Sequence, residues 1–362
     1  MPLPKHLGLT LLALAACGAA QAQSTVTLYG LVDLNLTRTT AGSKAGGASQ
    51  IDMNDGTVNG LNGSRWGIRV AEDLGSGLKA GVVLEGGLLA DTGAAGQGGR
   101  SFGRQAFLSL NSASAGELRL GRQYVLSDSV MGTSNPFGNA LTLNPGTGVT
   151  NMGKALPMWL NVPRADNVIQ YQTPSFGGAQ LAVQVAPEES GTMDRFHGVK
   201  LSYAGGPVVV AASYEWNKSR TTGDSTNKSL TMGANYNFGA FKLLAGVQRN
   251  RDLALGSGNG AAAGVSNLTV TTATTFTAAR TDDYTVGVEV PVGNFLLGTN
   301  YTAVKYQSAT GTSATLGKVA VGARYGLSKS TFLYTSASQA TGDLKDYISQ
   351  NRVLQAGLRT AF

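Results

Sequence analysis

Few residues in this chain could do acid–base or nucleophilic chemistry: it has two histidines and one cysteine. His6 lies in an N-terminal segment that reads as a secretion signal. His197 sits at the start of a strand, on the same parity as that strand's apolar residues, and reads as an interfacial side chain. A Ser/His hydrolase needs a serine and a polar orienting partner beside its histidine; no local motif supplies them. The run DMNDGTVNG, Asp52 to Gly60, is rich in oxygen donors. It lacks the terminal Glu of a calcium loop, so it reads as a polar surface loop. GSGNGAAAG, Gly256 to Gly264, follows no strand–helix context of a nucleotide site and reads as an external loop. Neither a metal nor a cofactor is expected, and no enzymatic activity.

Basic residues remain. The formal net charge is +7 and the pI about 9.4, a balance that can mark a nucleic-acid partner. Here the cations are spread through strand-like segments rather than gathered in a patch, so no nucleic acid is expected. Only 14% of the 362 residues are charged, against roughly 25% in soluble domains. Yet no run approaches the roughly 18 apolar residues of a membrane helix. Low charge with thinly spread apolar residues fits a membrane β-barrel, whose strands face lipid on one side and water on the other.

The first 22 residues carry Lys5, an apolar core from Leu7 to Ala16, and the small-x-small site Ala20-Gln21-Ala22. Cleavage there leaves a mature chain of 23–362 and removes one cation and no acid. Leu14-Ala15-Ala16-Cys17 also fits a lipoprotein signal with Cys17 as the lipidated residue. Either way no disulfide framework exists, since Cys17 is the single cysteine.

After Gln23 the chain reads as about sixteen strands of roughly 10 residues, joined alternately by short turns and longer polar loops. STVTLYGLVDLNLT places Val26, Leu28, Val32, Leu34 and Leu36 on one face, and GSRWGIRVAEDL places Arg65 and Arg69 opposite Trp66, Ile68 and Val70. The final NRVLQAGLRTAF alternates to its last residue, so Phe362 ends the closing strand on its lipid face. Tyr214, Trp216, Tyr236, Phe238, Phe241, Phe295, Tyr325, Phe332 and Phe362 lie near strand ends, as aromatic girdles do. Strands in lipid must close on themselves, and an even count lets the first and last pair antiparallel.

GSRWGIRVAEDLGSGLKA, FGRQAFLSL, GELRLGRQ, NVIQYQTPSFGG and GLRTAF closely resemble the general porins of β-proteobacterial outer membranes. The resemblance covers the whole mature chain. It implies an all-β, 16-stranded antiparallel transmembrane barrel with an inward-folded third loop, assembled as a homotrimer amid outer-membrane lipid and lipopolysaccharide. It also implies that Phe362 is part of a signal read by the barrel-assembly machinery. The function implied is passive diffusion of small hydrophilic solutes and ions in the outer membrane of a Gram-negative bacterium.

Assigning apolar parity to lipid turns Arg65, Arg69, Lys79, Arg119, Arg164, Lys200, Lys242, Lys318, Arg324 and Arg359 toward the lumen, with fewer acids: Asp33, Glu85, Glu215, Asp283 and Glu289. The parity of Arg104 against Gln105 stays open. By resemblance, residues about 127–163 form the constriction loop, and Arg65, Arg100, Arg104 and Arg164 match the family's basic cluster. NPFGN holds Phe137 where many porins have an acid, and Asp128 is the single acid of the loop. Charge lining a narrow aqueous path sets ionic selectivity, so the expected solutes are small anionic or neutral ones. A barrel-anchored adhesin would carry a large external loop domain, which is lacking here. A specific sugar channel would show a run of inward aromatics, and few have inward parity.

Overall fold

The computed structural model describes residues 24–45, 48–57, 60–137, 163–188, 194–253 and 269–362. The signal segment with Cys17, loop residues 138–162 and the glycine-rich run 256–264 lie outside the described residues. The strands are β1 (Ser24–Thr40), β2 (Gln50–Asp55), β3 (Arg65–Gly75), β4 (Leu78–Leu89), β5 (Ala94–Ala95), β6 (Gln105–Ser112), β7 (Gly116–Tyr124), β8 (Arg164–Gln172), β9 (Ala179–Ala186) and β10 (Arg195–Gly205). They continue with β11 (Val208–Lys218), β12 (Ser225–Asn237), β13 (Lys242–Arg251), β14 (Thr269–Val270), β15 (Phe276–Thr277), β16 (Arg280–Val292), β17 (Phe295–Gln307), β18 (Ser313–Gly326), β19 (Thr331–Gly342) and β20 (Arg352–Ala361).

Sixteen of these make the wall: β1, β3, β4, β6 to β13 and β16 to β20, each antiparallel to its neighbours. β20 returns to β1 from Leu31↔Ala361 to Thr40↔Arg352, so the sheet has no edge. Lipid offers no hydrogen-bond partner, so closure is what makes a spanning sheet possible. The wall is low over β6 to β9, with strands of 8 or 9 residues, and tall over β16 to β18, with 13 or 14. Short turns and both described chain ends lie at one rim and the longer loops at the other, the periplasmic and extracellular rims of such barrels.

β2 corrects the reading of DMNDGTVNG as a surface loop. It pairs with the upper half of β1, Leu34↔Asp55 to Thr39↔Gln50, while β3 pairs with the lower half. The described part of the segment between them turns into the lumen, burying Leu61 against Tyr334 and Phe137. Carboxylates tie its backbone: Asp55 Oδ1 accepts from Thr57 N at 2.8 Å, and Asp33 Oδ2 on β1 accepts from Asn62 N at 2.7 Å. Among the described residues no group of three His, Cys, Asp or Glu could hold a metal.

The outward faces carry the apolar alternation, with Leu28, Leu201, Val286 and Val321 all exposed. Ring contacts Tyr236–Phe238 (4.4 Å), Phe238–Phe241 (4.8 Å) and Phe295–Tyr325 (4.7 Å) band the periplasmic rim, and Tyr214–Trp216 (5.5 Å) the extracellular one. Phe332 does not belong to this band. It pairs with Arg359 across the strands and packs with Arg324 and Arg359 inside the barrel, while its neighbour Leu333 faces out.

The third loop leaves the wall at Tyr124 and returns at Arg164, its base closed by Val125 N to Pro163 O at 3.1 Å. Its helix, Leu126–Ser134, packs inside the barrel against β10 to β13 and β16. Wall side chains hold both ends. Glu215 Oε1 accepts from Ser127 N at 2.7 Å, a carboxylate at a helix N-terminus where anions are stabilised. Asn235 Nδ2 donates to the Thr133 carbonyl at 2.9 Å, and Lys200 Nζ to Ser129 Oγ at 2.9 Å. Glu289 accepts from the Phe137 N–H.

Glycines on the inner wall make this seat. A Cβ at Gly233 would stand 2.6 Å from the Val130 carbonyl oxygen, and one at Gly287 2.8 Å from Pro136 Cγ. Both would strike the loop. Gly233→Val should therefore lift the helix, since overpacking costs about 1–3 kcal/mol, and shift single-channel conductance while the barrel still forms. An unchanged conductance would show that the loop does not depend on this contact.

Phe362 exchanges backbone bonds with Gly30, each 3.0 Å, and its ring lies over that glycine on the outer face. Phe362→Ser should reduce the amount of heat-modifiable barrel recovered from outer membranes at high expression. Equal recovery would remove the terminal ring from the assembly signal.

Candidate functional site

Facing the loop helix, the extracellular ends of β3, β4, β7 and β8 and the residue before β6 bring three guanidinium groups together. Arg65 opens β3, Arg164 opens β8, and Arg104 directly precedes β6. The geometry answers the parity question: Gln105 is the cross-strand partner of Glu85 on the inner face, and Arg104 also turns inward, donating from Nε to Glu85 Oε1 at 2.7 Å. The Tyr124 hydroxyl accepts from Arg104 Nη2 at 2.6 Å and Arg164 Nη2 at 2.8 Å, and Tyr29 donates to Glu85 Oε2 at 3.1 Å. Among the described residues, the buried Nε atoms of Arg65 and Arg164 have no hydrogen-bond partner.

Acids near this cluster are few, and most inward acids of the barrel are occupied elsewhere. Asp33 holds Asn62 and Tyr334; Glu215 and Glu289 hold the constriction loop. Asp128, the loop's one acid, lies within electrostatic reach of Arg164, Arg104 and Arg65. Glu85 and Asp128 are thus set against three permanently charged guanidinium groups.

Aromatic rings share the positioning of the lumen arginines with the few carboxylates. Arg164 lies over Tyr124 at 4.5 Å, Arg69 over Tyr29 at 4.9 Å and Arg119 over Phe107 at 5.1 Å. Arg324 and Arg359 share Phe332 at 4.6 and 5.3 Å. A ring face attracts a cation without neutralising it. The sequence reading of few inward aromatics is therefore corrected: Tyr29, Phe107, Tyr124, Phe137, Phe332 and Tyr334 all lie on the lumen side. They back arginines or loops rather than forming a stacking track for a sugar.

The other candidate residues are distributed along the lumen. Arg69, Lys79 and Arg119 line a polar cavity of about 450 Å³ on the periplasmic side of the cluster, with Glu117 bonded to Arg119 at 2.7 Å. Arg324 and the buried Lys318 lie on β18 across the barrel, Arg324 5.8 Å from the Phe137 ring. Arg100 is not brought to the cluster. It binds Asp166 at 3.1 Å, and Arg122 binds the same carboxylate.

Tyr124 and Arg122 are absent from the sequence reading because a register shift between Gly121 and Gln123 breaks strand parity. Asn167, with φ 58, lies within the same irregularity on the partner strand. The irregularity has no short-range signal beyond the two turn-tolerant residues, Gly121 and Asn167.

Above the constriction, the described parts of two extracellular loops fold over the tall wall. Val270, Leu344 and Ile348 are fully buried against Val304, Tyr306 and Leu316 of the inner face. His197 stacks on Trp216 at 5.0 Å on the outer face, at the extracellular rim.

A family model described as Gram-negative porin matches residues 8–344. An outer membrane porin protein of Bordetella pertussis is 33% identical over 356 residues, covering 89% of this chain and 90% of that protein. Outer membrane porin protein 32 of Delftia acidovorans is 37% identical over 250 residues, 67% of this chain and 69% of that one. Among solved structures, an anion-selective porin from Comamonas acidovorans superposes with a TM-score of 0.73 at 27% identity, covering 94% of this chain and all of that one. OmpT of Vibrio cholerae in its trimer form gives 0.65 at 15% identity over 94% and 99% of the two chains, a likeness of fold alone. With the closed sheet, the inward loop and these matches together, the chain belongs to the Gram-negative porin family and is a channel of the outer membrane.

Proposed function

We propose that this porin favours small anions and that Arg65, Arg104 and Arg164 are the residues that set the preference. The observation that carries the reading is their convergence at the loop with Glu85 and Asp128 as the nearby acids. Arg69, Arg119, Lys318 and Arg324 extend the positive lining toward both sides of the constriction. Arg100 has no part in the cluster; it pairs with Asp166 on β8. The anion selectivity of the Comamonas porin supports the same direction. Removal of residues 1–22 and assembly as a homotrimer belong to this reading, the latter supported by the trimeric form of a fold relative.

A field of several cations in a path with low-dielectric walls concentrates anions and repels cations. Salt screens it over about 10 Å at 0.1 M and about 3 Å at 1 M. Reversal potentials in asymmetric salt should therefore show strong anion preference when dilute and a weak one near 1 M. Arg65→Ser with Arg164→Ser should cut the dilute-salt preference while the barrel still assembles, because lumen residues tune selectivity more than stability. A wild-type channel selective for cations in dilute salt, or a double variant with unaltered reversal potential, would overturn the assignment.

Assembly has its own check. The mature protein in mild detergent should run as a heat-sensitive trimer on a gel. A monomer before and after boiling would refute that part.

A further inference from the structure

The outer face of β10 to β13 and β16 carries a second feature, unrelated to the lumen. Pairing register lines its side chains into rows across the strands. One row runs Leu201, Ala212, Met232, Val247 and Tyr284. The row below places Ala234 beside Ala245. These small side chains leave a concave apolar groove of about 510 Å³, walled by the larger residues around them.

The next rows toward the extracellular rim change character. Arg249, Asp282 and Lys305 stand level with one another, and Arg251 stands beside Lys228 one step higher, with Arg280 on the adjoining strand. Asp282 takes Arg251 at 2.6 Å and Arg249 at 3.6 Å, and Asp252 takes Lys228 at 2.6 Å. Arg280 Nε donates to neutral Gln307 at 3.1 Å. Five cations against two carboxylates leave this band positive. The neighbouring run 254–268 contains no charged residue, so it brings no counter-charge. Successive rows are about 6.8 Å apart, two residues of strand, so an acyl chain in the groove leaves its headgroup level with the cations.

We propose that this groove and the band above it form a site for one phosphorylated, acylated lipid of the outer leaflet. An acyl chain lies over Ala212, Ala234 and Ala245, and a phosphate is held by Arg249, Arg280 and Lys305. Charge complementarity selects this occupant over a zwitterionic lipid, and the apolar groove selects it over free phosphate. The assignment is independent of which ions the pore prefers.

Native mass spectrometry of the purified protein in uncharged detergent, titrated with bis-phosphorylated lipid A, tests it. The wild type should retain one lipid per chain, and the dephosphorylated lipid far more weakly. Arg249→Gln with Arg280→Gln keeps the Arg251–Asp282 bond and should weaken retention about 25-fold, at about fivefold per cation removed near a charged headgroup. Ala212→Leu with Ala234→Leu should weaken retention by filling the groove but keep its salt dependence. Conductance, measured on the same samples, should be unchanged in both variants. Equal retention of the lipid with and without phosphates, or by wild type and the arginine variant, would overturn the proposal, and so would equal retention of phosphatidylglycerol. If a variant fails to insert, the wild type still decides: retention that does not fall between 0.05 M and 0.5 M salt would refute a charge-held headgroup.

Discussion

Lipid supplies no partner for a backbone N–H or carbonyl, and the rest of this molecule follows from that constraint. The sheet has to close, so Phe362 must reach Gly30 and β20 must pair along β1. Closure around sixteen strands leaves an interior too wide for side chains alone to fill. The third loop occupies part of it, and the inner wall is shaped to receive that loop. Gly233 and Gly287 are small because loop atoms lie directly over them. Glu215, Asn235 and Glu289 are polar because loop backbone groups end beside them.

This use of the acids bears on the pore. A carboxylate bonded to a backbone N–H, as Glu215, Glu289 and Asp33 are, commits hydrogen-bonding capacity to a loop rather than to an arginine of the wall. The cations on that wall then need another means of holding position. Tyr124, Tyr29, Phe107 and Phe332 provide it through their ring faces. Fold and electrostatics are therefore linked: seating the loop takes up acids, and aromatic backing keeps the arginines ordered.

Much of the wall was legible in the sequence because strand parity is a local property. The two-residue period placed Arg65, Arg69, Arg119 and Lys318 inward and Leu28 and Trp66 outward without knowledge of any neighbour. The misplacements share a different cause. Phe332 looks like a girdle residue until its cross-strand partner Arg359 is known. Arg122 sits in a register shift and Tyr124 beyond it, where parity no longer tells the face. Asp55 and Leu61 belong to an inward turn whose ties come from Asp33, distant in sequence. Arg104 lies one residue outside its strand, so its direction is set by Glu85 on the strand beside it. Alternation is written residue by residue; contacts between strands are not.

The ring-backed arginines also bear on how steadily the channel conducts. A guanidinium group held over an aromatic face has fewer alternative rotamers than one in open water, and it keeps its proton throughout the physiological pH range. The share of the lumen potential that Arg69, Arg119, Arg164, Arg324 and Arg359 contribute then comes from charges held in place and permanently ionised. Each ion meets nearly the same field as the one before it, so side-chain flicker and proton exchange at these positions add little noise to the open-channel current.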